Sequence, residues 1–198
     1  MNKNMLKLGL ILTLFAGVAC VSLAVVHSYT KETINKQKQK DLEAALKEIF
    51  PAADGFDDVT KDLKSGDPRV SIKAAYAVKK GGALLGVAVQ ASGPSYGGDA
   101  TLLSGFSTDK KVERVIVLDI VDTPGLGANA KKSTYYVDKA KKVTFPGQFS
   151  GKSLSDAFEV KKDVQAITAS TITSAALTRI VKASGAAAAD YLDKGGAK

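Results

Sequence analysis

The longest pattern in the chain is an almost unbroken apolar run from Leu8 to Val26. As a helix rising about 1.5 Å per residue, it would be about 28 Å long, close to the hydrocarbon thickness of a bilayer. The run exceeds the apolar core of an ordinary secretory signal. Gly17-Val18-Ala19-Cys20 resembles a lipoprotein cleavage site only faintly, because the apolar residues continue beyond it. The pattern therefore predicts a retained spanning helix. A helical period persists from Ser28 to Phe50, where Leu42, Ala45, Leu46, Ile49 and Phe50 form an apolar stripe among Lys, Glu and Gln, and Pro51 ends it. This reads as an amphipathic stalk, with Asp54 to Pro68 as a polar connection.

The period then shifts toward two. Val70–Val78, Leu84–Gln90, Thr101–Phe106 and Val112–Ile120 are strand-like, separated by turn-rich segments, and predict an antiparallel meander. In Asp122-Thr123-Pro124-Gly125-Leu126-Gly127, Pro followed by Gly suits the centre of a type II turn. Gly127 would allow a second unusual backbone angle. Asn129 to Ala140 reads as a short helix and Phe158 to Val160 as a short strand. The last pattern is helical, with Ala175, Ala176, Leu177, Ile180 and Val181 at helical spacing and Gly185 as an expected interruption.

Thr168, Ser170, Thr171 and Thr173 cluster where that last helix begins. Free N–H groups and the positive end of the helix dipole favour an anion there, and the hydroxyls can cap the helix, hydrogen-bond a phosphate or bond to it covalently. An ordinary capped helix and a phosphate site both fit the cluster alone.

Composition narrows the chemistry. The 198 residues suffice for one ordinary domain with an appendage, and the core should be aliphatic because aromatic residues make up only 7% and Trp is absent. The net charge of +8 raises the question of nucleic acid. The lysines, however, fall in scattered pairs without aromatic or arginine interleaving, which reads as solvated surface. Cys20 and His27 are the sole residues of their types, so no internal disulfide and no Cys/His metal cluster can be assembled. Any redox chemistry would need an organic cofactor.

Together these pieces resemble the RnfG family, the membrane-anchored, FMN-binding component of the Rnf electron transport complex, and its relative in the sodium-pumping NADH:quinone reductase. The resemblance runs from the span and Thr30-Lys31 through Tyr96-Gly97-Gly98 with Leu102-Leu103, Asp122-Thr123-Pro124-Gly125-Leu126-Gly127, where the family has Glu-Thr-Pro-Gly-Leu-Gly, and Gln148-Phe149-Ser150-Gly151-Lys152 to Thr173-Ser174. The family's attachment motif, Asp-x-x-Ser/Thr-Gly-Ala-Thr, joins its last Thr to FMN by a phosphoester. That position here is Thr171. Gln165, Ala169 and Ser170 stand where the motif has Asp, Gly and Ala, and Ser170 places a second hydroxyl beside the acceptor.

The resemblance implies an α+β fold, in which a transmembrane anchor (residues 1–27) and a stalk with its connection (28–68) lead to an FMN-binding domain (69–198). That domain would be an antiparallel sheet flanked by helices. Thr168, Ser170, Thr173 and Ser174 would attend the phosphate on Thr171, with Thr123, Pro124, Gly125, Leu126, Gly127 and Tyr96 near the flavin ring. The implied function is electron transfer within a complex coupling ferredoxin:NAD chemistry to sodium or proton translocation. Its partners would be the other membrane subunits and a flavin transferase. A cell-membrane location with the large domain outside the cytoplasm follows from the resemblance, although Lys31, Lys36, Lys38 and Lys40 after the span outweigh Lys3, Lys7 and the amino terminus before it. The alternatives are a non-redox anchored surface or solute-binding protein and a protein that binds FMN non-covalently. A pilin is disfavoured by the lack of an acidic residue between Met1 and Tyr29.

Overall fold

The computed structural model describes residues 3–195. The amino terminus counted in the charge balance, and residues 196–198 of the proposed domain, lie outside them. The chain divides into two units, Met1–Asp41 and Leu42–Lys198.

Helix α1 (Lys3–Ile49) is continuous from the apolar run into the amphipathic segment. In the apolar part, the hydroxyls of Thr13 and Ser22 donate to the carbonyls of Gly9 and Val18, both at 2.9 Å. Both hydroxyls thus have partners within the helix, as a lipid environment demands. The helix is long and apolar enough to cross a membrane.

In the second unit, β1 (Gly55–Asp58), β2 (Ser71–Lys80), β3 (Ala83–Pro94), β4 (Asp99–Ser107) and β5 (Val112–Asp119) form one antiparallel sheet in sequence order. Alternation along the strands gives the sheet two apolar faces. Val87, Val89, Ala91, Leu102 and Phe106 pack with Leu177, Ile180 and Val181 of α2 (Thr171–Asp193) in one buried cluster. On the other face, Val78, Ala88 and Leu103 cluster with Ala45, Leu46, Ile49 and Phe50, the apolar stripe at the end of α1. An antiparallel sheet covered by a helix on each face is the α+β arrangement expected.

Four local expectations need correction. The polar connection contains β1 and a 3₁₀ turn at Thr60–Asp62, because Gly55–Asp58 pairs with the outer edge of β2 despite its polar sequence. Asn129 to Ala140 is a 3₁₀ turn (Gly127–Lys131) followed by β6 (Tyr136–Asp138), which pairs with β7 (Val143–Thr144). Phe158 to Val160 forms no strand; Val160 makes a single bridge to Val164, and Phe158 instead packs its ring against Phe149. Gly185 does not interrupt α2: a Cβ there would stand 2.9 Å from Leu154 Cδ2 and 3.4 Å from the Phe106 ring, so close packing requires the glycine.

Candidate functional site

Three segments meet at one end of the sheet: the β3–β4 connection, the loop after β5 and the start of α2. Asp122, 4% exposed, joins them. Its Oδ1 accepts the Gly97 N–H at 2.7 Å, and its Oδ2 accepts the Ser95 hydroxyl at 2.7 Å and the Thr173 hydroxyl. Burial pushes the Asp122 pKa up. The donors from Thr173, Gly97, Ser95 and the Tyr96 amide outweigh it and hold the carboxyl below the ordinary carboxylate value.

The loop after β5 has the expected turn. Leu126 N–H donates to Thr123 O at 3.1 Å, and Gly125 has φ +81°. The Asn129 side-chain amide closes the loop onto Gly125 O at 2.6 Å. Gly127 has no unusual angle. Its role is steric, since a Cβ would approach Thr173 Oγ1 to 2.5 Å and Asp122 Oδ2 to 2.6 Å. A larger residue would push into the bond that fastens the loop to α2.

The start of α2 is held from behind. Ser174 Oγ accepts the Ile167 N–H and donates to Ser170 O, both at 2.9 Å, and Tyr135 accepts the Thr168 N–H at 3.2 Å. Gln148 clamps the backbone of Gln165, accepting its N–H at 2.7 Å and donating to its carbonyl at 3.1 Å. Asp163 accepts the N–H groups of Phe158 and Glu159 and an ammonium hydrogen bond from Lys152. Again burial raises the pKa, and the Glu159 amide, Lys152 and the Phe158 amide together lower it further than burial raises it.

The three segments enclose a cleft of about 430 Å³ lined by Tyr96, Thr123, Leu126, Gly127 and residues 169–173. One wall is polar. The first helical hydrogen bond runs from Ser174 N–H to Ser170 O, so the N–H groups of Thr171, Ile172 and Thr173 precede the helix ladder, and no side chain caps it. The other wall is apolar. Outside α1, the large hydrophobic residues exposed among those described are Tyr96, Val121, Leu126 and Ile172. All but Val121 line the cleft, and a Cβ on Gly98 would touch Val121 Cγ2. Anion-seeking donors beside a bare apolar surface suit a ligand with a phosphate at one end and a flat ring at the other.

Sequence comparison agrees with this chemistry. Residues 1–49 match the model described as the RnfG N-terminal region, and residues 95–184 match that of the FMN-binding domain. The G component of the Na(+)-translocating ferredoxin:NAD(+) oxidoreductase complex from Acetobacterium woodii is 31% identical over 193 residues, covering 89% of this chain and 87% of that protein. The chain belongs to the RnfG family. The G component of the proton-translocating ferredoxin:NAD(+) oxidoreductase complex of Clostridium ljungdahlii is 32% identical over 178 residues, covering 86% of this chain and 84% of its own. The G component of an ion-translocating oxidoreductase complex from Cereibacter sphaeroides is 30% identical over 160 residues, 78% of this chain and 69% of that one. FMN is the cofactor of the domain, and the cleft lies within the matched residues.

Of the residues singled out from the Rnf family motifs, Tyr96, Thr123, Leu126, Gly127, Ser170, Thr171 and Thr173 meet in the cleft. Pro124 and Gly125 shape the loop from outside it, and Thr168 stands beyond the lining. Ser174 is fully buried with its hydroxyl engaged, so it braces the helix start without facing a ligand. Thr173 has only its N–H to offer, its hydroxyl being committed to Asp122. Asp122 and Ile172 are site residues outside the expected set. For Asp122 the signal is its place at the head of the Thr-Pro-Gly-Leu-Gly loop, where the family motif has Glu.

The departures from the RnfG motif also acquire a physical meaning. Ala169 has φ +56°, the left-handed region that favours the motif's Gly. Ala169→Gly is therefore expected to raise stability by about 0.5–1 kcal/mol. Urea denaturation of the full-length chain in detergent would register this as a higher midpoint, and a lowered midpoint would show the strain is not felt. At Gln165 the clamp holds backbone, so the path of the loop does not depend on the side chain there. Asp163, two residues earlier, is engaged by Phe158, Glu159 and Lys152.

Proposed function

We propose that this chain is the membrane-anchored, flavin-carrying electron-transfer component of an ion-translocating ferredoxin:NAD oxidoreductase complex. FMN is joined to Thr171 through a phosphoester. The observation that carries the reading is the cleft itself, with free helix N–H groups and Thr171 on one side and Tyr96, Leu126 and Ile172 on the other. Thr171 is exposed, and its hydroxyl has no partner among the described residues. Ser170 Oγ is occluded in the protein. Access by a separate flavin transferase thus favours Thr171 as acceptor over Ser170.

FMN supplies the electron chemistry when bound; the protein binds and orients it. The N–H groups of Thr171, Ile172 and Thr173 offer donors for phosphate oxygens, and the helix dipole favours its charge. Leu126 and Ile172 exclude water from the ring side, and Asp122 keeps the two walls in register. Residues 1–27 serve as anchor, 28–68 as stalk and connection, and 69–198 as the flavin domain. The partners are the other membrane subunits of the complex. Its relatives are named for sodium and for protons alike, so the proposal extends to either ion. A covalent link suits a large domain outside the cytoplasm, where a lost flavin could not readily be replaced.

The test is denaturing electrophoresis of the chain produced together with a flavin transferase. The expected result is a fluorescent flavin band at the position of the polypeptide. A dark band with flavin released to the solvent front would refute the covalent link.

A further inference from the structure

The positive charge is unevenly placed along the chain. Residues 131–162 carry eight lysines and three acidic residues, and so hold five of the eight net charges. As sequence these lysines are separate pairs. The fold brings two of the pairs to one place: Lys141 from the β6–β7 hairpin and Lys161 and Lys162 from the turn before Val164 line a single open cleft of about 730 Å³, with Val137, Val143 and Val164 also in its wall. The acids nearby are committed elsewhere. Asp138 accepts the N–H groups of Ala140 and Lys141, each at 3.0 Å, and Asp163 accepts those of Phe158 and Glu159 and the Lys152 ammonium. Glu159 and Lys162 form a pair of exposed side chains at 3.4 Å, where solvent screens most of the attraction. No ion pair among the described residues engages Lys139, Lys141, Lys142 or Lys161. Lys142 and Lys161 have φ of +53° and +74°, in the left-handed region that favours glycine, so these lysines are kept at a cost in backbone strain.

We infer that this basic cleft docks the acidic surface of the protein with which the flavin exchanges electrons. Exposed lysines around an open cleft with valines in its wall suit a polypeptide surface that presents Asp and Glu among apolar side chains. The lining holds no aromatic residue on which a nucleic-acid base would stack. Position ties the cleft to the flavin. Gln165 and Ala166 line the basic cleft, and Ala169 to Thr173, only three residues further on, line the flavin cleft, so a protein seated on the first lies beside the second. Complementary charge speeds encounter and fixes orientation without a large interface, which suits a contact made for electron transfer, where one partner is oxidised as the other is reduced. The lysines steer the partner and take no part in the redox step. The inference rests on flavin occupying the cleft at the start of α2 and is independent of the covalent link.

The test uses the assembled complex, purified with this chain unaltered, with Lys141→Glu, Lys161→Glu and Lys162→Glu together, and with Lys64→Glu, Lys73→Glu and Lys80→Glu together. The last three are exposed lysines outside the cleft lining and impose the same change in net charge. The flavin content of this chain is measured first, and its reduction is then followed by stopped-flow absorbance on adding reduced ferredoxin at low and at high salt. The expected result is reduction about tenfold slower at low salt in the cleft variant, with the difference shrinking at high salt and the control variant matching the unaltered complex. A cleft variant as fast as the unaltered complex would overturn the inference. Equal slowing in both variants would do the same, since net charge alone would then be responsible, as would slowing that salt does not diminish. Flavin missing from the unaltered chain would overturn the flavin reading and the inference with it, whereas flavin lost in the cleft variant alone would assign the lysines to flavin binding and overturn the docking role. Carbodiimide cross-linking of the unaltered complex, which joins lysine amines to carboxylates in contact, supplies a second readout. Lys139, Lys141, Lys161 or Lys162 should be joined to Asp or Glu of another subunit, and cross-links from these lysines confined to this chain would contradict the docking site.

Discussion

Asp122→Ala is expected to lower the stability of the flavin-free chain by about 2–4 kcal/mol and to abolish tight FMN binding. The carboxylate ties the Ser95–Gly97 segment to the start of α2 through Ser95, Gly97 and Thr173. Removing it strands the Thr173 hydroxyl, which is 2% exposed, and frees the loop that carries Leu126. The effect also has a pH signature. Because the folded pKa of Asp122 lies below the unfolded value, its contribution is present above the unfolded pKa of about 4 and is lost as pH falls through the folded value. Asp163 acts with the same sign. Asp122→Asn should therefore flatten the acid limb of the stability profile without abolishing it. Urea midpoints measured from pH 7 down to pH 3 would show this, and an unchanged limb would mean that Asp122 does not shape it.

Thr171→Ala should eliminate covalent flavin completely while leaving the fold within about 0.5 kcal/mol of the parent, since this exposed side chain holds no other group. Ser170→Ala should retain the covalent flavin. The pair tests each of two adjacent hydroxyls as the acceptor. In-gel flavin fluorescence reads the first property and thermal unfolding the second. Fluorescence that survives in Thr171→Ala and disappears in Ser170→Ala would make Ser170 the acceptor.

Much of this organisation is legible in local pattern. The apolar run, the stripe ending at Phe50, the four central strands and the Pro-Gly turn each rest on residues close in sequence. The misses share a different cause. Gly55–Asp58 is a strand because it pairs with the edge of β2, and Tyr136–Asp138 because Val143–Thr144 lies opposite; neither partner is visible in a local period. Local pattern suggests backbone freedom for Gly127 and a helix interruption for Gly185, yet both are required by atoms distant in sequence. Those atoms belong to Thr173 and Asp122 in one case and to Leu154 and Phe106 in the other. The hydroxyl cluster is uniform as sequence. Tertiary structure divides it into Thr173 bound to Asp122, Ser174 bracing the helix start, Ser170 buried without a partner and Thr171 exposed.

The most direct measurement is the mass of the tryptic peptide spanning 163–179, taken from the full-length chain produced together with a flavin transferase. It contains Thr168, Ser170, Thr171 and Thr173, and fragmentation distinguishes them. With Thr171 as the acceptor, the peptide is heavier by FMN less one water, and the added mass lies on Thr171. An unmodified peptide accompanied by free FMN in the acid supernatant would contradict the covalent site.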